Sequence, residues 1–201
     1  GVMGPALVDP IQEFCTGLDV AVVPAFRFDA LWRLPEEKPR HEGTVLLVSL
    51  PLEAGETRQI IEMLCAALDG NAAFGDWQVW IKPHPAFPCR LFEEGNRMGL
   101  QPGWALVDGD LDGLLEKADL FVGSASSACV QAIVHGVPAV VIGGNVRPTL
   151  NPIPDWVDGA LWTICHSAED LQKALVQNTM RDTGSPAWRR AVGASIRAQL
   201  F

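Results

Sequence analysis

From Thr44 onward the chain repeats one pattern: a run of four to seven mostly apolar residues, then a stretch with apolar residues at helical spacing, then another short run. Apolar runs this short suit strands buried on both faces, as in a parallel sheet whose crossovers are helices. Residues 44–50 (TVLLVSL) open the series, and 56–68 follow with Ile60, Ile61, Leu64, Cys65 and Leu68 on one face. Further strands are expected at 77–82, 104–107, 119–123, 137–142 and 161–165, and helices at 111–117, 126–135, 168–177 and from 186 to about 200. Asp110 and Ser167 stand where N-caps belong, and a short amphipathic stretch is expected around 91–98. Strands alternating with helices form right-handed βαβ units. The expected class is therefore α/β, a Rossmann-like doubly wound parallel sheet of about six strands with helices on both faces.

The first 43 residues break this rhythm. Asp9-Pro10 signals a helix over 10–16, residues 18–26 form an apolar run expected to be a strand, and 34–43 (LPEEKPRHEG) read as a linker or surface loop. The expected division is 1–43, a segment and linker from a missing N-terminal domain, and 44–201, a nucleotide-sugar-binding domain. The chain starts at Gly1 rather than Met, which suggests a piece excised from a longer protein.

At 201 residues with 48% hydrophobic and 19% charged, the chain can bury a sizeable core, and disorder is excluded. A net charge of -9 argues against nucleic acid as partner. It leaves room for a small anionic ligand, because backbone N–H groups at a helix N-terminus bind phosphate without help from net charge. Five cysteines with no CxxC pair read as reduced, buried thiols of a cytoplasmic protein. No Lys or Arg precedes Arg27 and no apolar run approaches 18 residues, so neither a signal peptide nor a membrane span is visible.

Two loops at carboxyl ends of expected strands carry polar residues that a core would not need. In Ile81-Lys82-Pro83-His84-Pro85, two prolines fix the backbone around a cation and an imidazole, holding Lys82 and His84 toward the crevice as phosphate donors. In Val122-Gly123-Ser124-Ala125-Ser126-Ser127-Ala128, a small-residue turn leads into a helix with Ser126 or Ser127 at the N-cap, the arrangement of an anion site. The plainer readings are a turn whose His bonds only locally and a serine that merely caps its helix. GxGxxG, Walker A and GxSxG motifs are absent. Asp108-Gly109-Asp110 looks like a DxD metal motif, but Asp110 is better explained as a cap, and no metal is expected. His135 and His166 lack metal-ligand spacing and read as structural or surface residues. Trp156 closes a Pro-rich loop, 147–156, that could border a pocket.

The order of Lys82-Pro83-His84-Pro85, Asp108, 119–124 (DLFVGS), Ser126-Ser127 and 131–140 (QAIVHGVPAV) resembles the C-terminal, donor-binding half of a GT-B glycosyltransferase. The paired His-Pro and Ser-Ser motifs are similar to those of bacterial sialyltransferases, Kdo-type capsule transferases and teichoic-acid glycerophosphotransferases. The resemblance implies that His84 contacts the donor phosphate and acts in catalysis. It also implies that Ser126 and Ser127 hold phosphate at the helix N-terminus, with Gln131 nearest the Glu that holds the ribose in many relatives; Lys82, Gly123, Ser124 and Asp108 complete the expected donor site. The implied reaction is metal-independent transfer from a nucleotide-sugar, CMP-linked rather than UDP-linked, in surface polysaccharide assembly, with no separate cofactor. The acceptor, a carbohydrate or a lipid-linked one, and the catalytic base would belong to the missing half, which could sit peripherally at the inner membrane. Two rivals stand beside this reading: half of a nucleotide-sugar epimerase or hydrolase, and a non-catalytic flavodoxin-like interaction domain.

Overall fold

The computed structural model describes residues 4–23, 42–86, 101, 103–144, 149, 151–180 and 186–200. Six strands form a single sheet: β1 Thr44–Ser49, β2 Trp77–Lys82, β3 Ala105–Leu106, β4 Leu120–Ser124, β5 Ala139–Ile142 and β6 Trp162–Cys165. Their spatial order is β3-β2-β1-β4-β5-β6 and every pairing is parallel. The helices are α1 Val8–Phe14, α2 Ala54–Leu68, α3 Leu111–Leu115, α4 Ser127–Val134, α5 Ala168–Met180 and α6 Pro186–Leu200, with single 3-10 turns at Pro5–Leu7 and Ala72–Phe74.

The sheet is sandwiched between two apolar layers, and side-chain alternation assigns each residue to one of them. Leu46, Val48, Val79, Ile81, Leu120, Val122, Val140 and Ile142 pack under α2 and α5, with Ile60, Leu64 and Leu171. Val45, Leu47, Phe121, Ala139 and Val141 face the other way, with Leu115 of α3, Cys129 and Ile133 of α4 and Ile196 of α6. Double-sided burial is what forces the strand runs to be continuously apolar.

Element ends shift from the sequence expectation for local reasons. The helix after β1 starts at Ala54, two residues early, because the Glu53 carboxylate accepts from Glu56 N at 2.6 Å and caps it. β4 begins at Leu120 rather than 119, with Asp119 Oδ2 accepting from Val45 N at 2.9 Å at the mouth of β1. β5 begins only after Pro138, which has no N–H to give a ladder.

The amino-terminal expectations need correction. The helix begins at Val8, entered through the 3-10 turn, and buries none of its residues. The expected strand over 18–26 does not form among its described residues: 18–23 hold one isolated bridge position, and Leu18, Val22 and Val23 are exposed. An apolar run becomes a strand only where a partner edge meets it. The remainder of that run, 24–26, the stretch around 91–98, and all but the last two residues of the expected linker lie outside the described residues. The thiols are not uniformly buried either: Cys129 and Cys165 are, Cys65 is half-buried, Cys15 is exposed just past the short first helix, and Cys89 lies outside the described residues.

Candidate functional site

The chain runs β1, β2, β3 in one direction across the sheet and then returns to lay β4 on the other side of β1. Loops leaving β1 and β4 therefore part in opposite directions, and the crevice between them is where ligands bind in open α/β sheets. The register places Lys82 and Gly123 on either side of Ser49, in one row at the carboxyl end of the strands. Two strand spacings, about 10 Å, separate Lys82 from Gly123, so a phosphate seated over the end of β1 is within side-chain reach of both flanks.

On the β4 flank the chain enters α4 through Ser126, which is the N-cap by backbone (φ -143, ψ 164) yet makes no side-chain capping bond. That sets α4 apart among the helices that follow strands. Glu53 caps α2, Asp110 Oδ1 accepts from Gly113 N at 2.7 Å on α3, and Ser167 Oγ accepts from Asp170 N at 3.1 Å on α5. At α4 the N–H groups of Ser127 and Ala128 precede any carbonyl the helix could offer them. The turn is held from beneath: Cys129 Sγ donates to the Ser124 carbonyl at 3.1 Å, and burial pushes that thiol up to about 11, only partly offset by hydrogen bonds with Ser126. Gly123 is required here, because a Cβ would come within 2.9 Å of the Phe121 ring. Ser127 is exposed and Gln131, one turn further along the same face, is half-buried.

On the β2 flank Lys82 is half-buried and His84 exposed. His84 Nδ1 accepts from Ala86 N at 3.1 Å, which leaves Nε2 as the protonated nitrogen of the neutral ring. The local bond anticipated in the plainer reading thus exists, and it fixes a tautomer able to donate. Lys82, the last residue of β2, supplies a cation at the carboxyl end of the strands. The loop after β1 is anchored by Thr57, a fully buried polar side chain whose Oγ1 donates to the Pro51 carbonyl at 3.1 Å.

The geometry gathers Lys82, His84, Gly123, Ser124, Ser126 and Ser127 around the crevice. It does not gather Asp108. That residue follows β3, three strand spacings or roughly 14 Å from the row position of Gly123, and is exposed. His135 is structural: its Nε2 lies 2.9 Å from Asp112 Oδ1, almost fully buried, tying the end of α4 to α3. Ser49 carries no motif signal in the sequence, because it becomes central only once β1 is known to lie between β2 and β4. Among the described residues no group of three or more His, Cys, Asp or Glu is placed to hold a metal ion. No helix among them is long and apolar enough to cross a membrane. A groove of about 260 Å³ runs along β6 and α5, lined by Trp162, Thr163, Asp170, Lys173 and Gln177, two strands away from the crevice.

No protein-family model matches the chain. Solved structures share its fold. The UDP-GlcNAc 2-epimerase of Methanocaldococcus jannaschii, in complex with UDP-GlcNAc and UDP, superposes at a TM-score of 0.63 with 15% identity over 96% of this chain and 59% of that one. The glycosyltransferase of kitacinnamycin gives 0.57 and 21% over 80% of this chain and 41% of that one. S. aureus MnaA, solved with UDP, gives 0.56 and 12% over 95% and 47%. The Rossmann-like parallel sheet is thus the fold of one portion of these enzymes, and this chain spans about two fifths to three fifths of their length.

Proposed function

We propose that this chain is the donor-binding half of a metal-independent glycosyltransferase, taking a nucleotide-sugar, CMP-linked, for surface polysaccharide assembly. The observation that carries the reading is the pairing, across the end of β1, of an uncapped helix N-terminus with a Lys-Pro-His-Pro turn. Backbone N–H groups and the positive end of the α4 dipole meet the phosphate from one side. Lys82 and the Nε2–H of His84 meet it from the other. As the glycosyl bond breaks, negative charge grows on the leaving phosphate oxygen, and donors already fixed in place stabilise that state more than the ground state. Lys82, His84 and the α4 terminus, among the described residues, suit a phosphate, and the His-Pro and Ser-Ser resemblance favours that of a CMP-sugar. Ser127 and Gln131 are proposed to face the ribose, and the acceptor and catalytic base to reside outside this chain.

A second reading is favoured by the epimerase likeness, which extends over 96% of the chain. In that case the nucleotide is UDP and no acceptor sugar is needed. Calorimetric titration of the chain with CMP and with UDP, repeated on His84→Ala, separates the two. Saturable CMP binding weakened about tenfold or more by the substitution is the expected result. Preference for UDP selects the second reading, and binding of neither rejects the nucleotide site.

A further inference from the structure

Gly143 follows β5, and a Cβ built on it would fall within the imidazole of His166. The ring of His166 occupies the space that any other residue at 143 would fill, and it does so while remaining exposed. Its backing is rigid. Gly143 N donates to the Cys165 carbonyl at 2.9 Å, its carbonyl accepts from Gln59 Nε2 at 2.8 Å, and Gly144 N donates to Thr149 Oγ1 at 3.1 Å.

The register shows where this imidazole stands. Lys82, Ser49, Gly123, Val141 and Ile164 form one row across five strands. Two positions beyond that row in the chain, past the ends of their strands, come His84, Pro51, Ala125, Gly143 and His166. The two imidazoles therefore follow strands on opposite sides of β4, each strand two spacings or about 10 Å from the line of β4. The sides differ in character. Toward β3 the described rim carries Pro83, Pro85 and the exposed Leu52 and Leu106, apolar surface for a planar base, beside Lys82, His84 and the exposed Asp108. Toward β6 it carries His166 and Thr149, groups that suit hydroxyls.

Resting on the nucleotide-sugar reading above, we infer that His166, seated on Gly143, is a donor-reading residue that hydrogen-bonds the glycosyl group of the nucleotide-sugar while the nucleotide occupies the β1–β4 crevice. A phosphate over the end of β1 lies three strand spacings, roughly 14 Å, from the β6 line. An imidazole and a sugar ring together bridge that distance.

The test compares the chain with His166→Ala, His166→Gln and Gly143→Ala, titrated with CMP, CMP-N-acetylneuraminate, UDP and UDP-N-acetylglucosamine. Circular dichroism confirms that each variant is folded. For the nucleotide family that the native chain binds, His166→Ala is expected to weaken the nucleotide-sugar at least fivefold and to leave the free nucleotide within twofold. His166→Gln, which keeps a donor, is expected to recover part of the loss, and Gly143→Ala, which displaces the ring, to show the same split as His166→Ala. If nucleotide-sugar and nucleotide change equally, or neither changes, the inference fails while the crevice assignment stands. If the native chain binds no nucleotide at all, the functional reading fails and the inference with it.

Discussion

Gly123 shows how a single residue serves fold and site together. It lies in the central row beside Ser49, and the face it presents is already filled by the Phe121 ring of its own strand. Gly123→Ala is expected to cost about 1–3 kcal/mol by overpacking, read as a lower urea midpoint. Cys129 works from below, spanning the turn to the Ser124 carbonyl, and Thr57 does the same for the loop after β1. Each of these two side chains fixes a backbone segment that borders the candidate crevice.

At the scale of elements, the helix starts divide into capped and uncapped. Where a protein side chain satisfies the first N–H groups, its removal is felt in stability. Asp110→Ala is expected to lower unfolding free energy by about 1 kcal/mol. Ser126→Ala removes no capping bond, only the hydroxyl's bond with the buried Cys129 thiol, and is expected to lower the urea midpoint less than Asp110→Ala while weakening nucleotide binding. The opposite result, a lost midpoint with intact binding, would return α4 to the role of an ordinary packed helix. Elements also decide which sequence signals succeed. The apolar runs of β1, β4 and β5 were legible because burial on both faces leaves no room for polar residues. The run over 18–26 has the same composition, and its described residues stay exposed, since β propensity records the fit to a neighbouring strand rather than a property of the run alone.

Across the whole molecule the two layers share a titration. Cys129 sits in the layer under α4 and Cys165 in the layer under α5, and burial pushes each thiol from 9.0 up to about 11. Below pH 9 the thiols are protonated in folded and unfolded chains alike, and their contribution to stability is fully present. Between pH 9 and about 11 the unfolded chain ionises and the folded chain does not, so stability falls as pH rises. Urea midpoints measured at pH 8 and pH 10.5 should therefore drop in the native chain and drop less in Cys129→Ala and Cys165→Ala. An identical drop in all three would locate the alkaline sensitivity elsewhere.

The sequence by itself determined the class of the fold, because the period of apolar residues specifies strands, helices and their alternation, and alternation leaves few topologies. It also marked Lys82, His84 and the serines, polar residues placed where strands end. Strand order was decided only in three dimensions, and with it which strand ends become neighbours. That order brought Ser49 between Lys82 and Gly123, left Asp108 on the outer edge, and set His166 against Gly143, a contact between residues that follow two neighbouring strands. Local pattern is written in short-range spacing; proximity across a sheet comes from long-range packing.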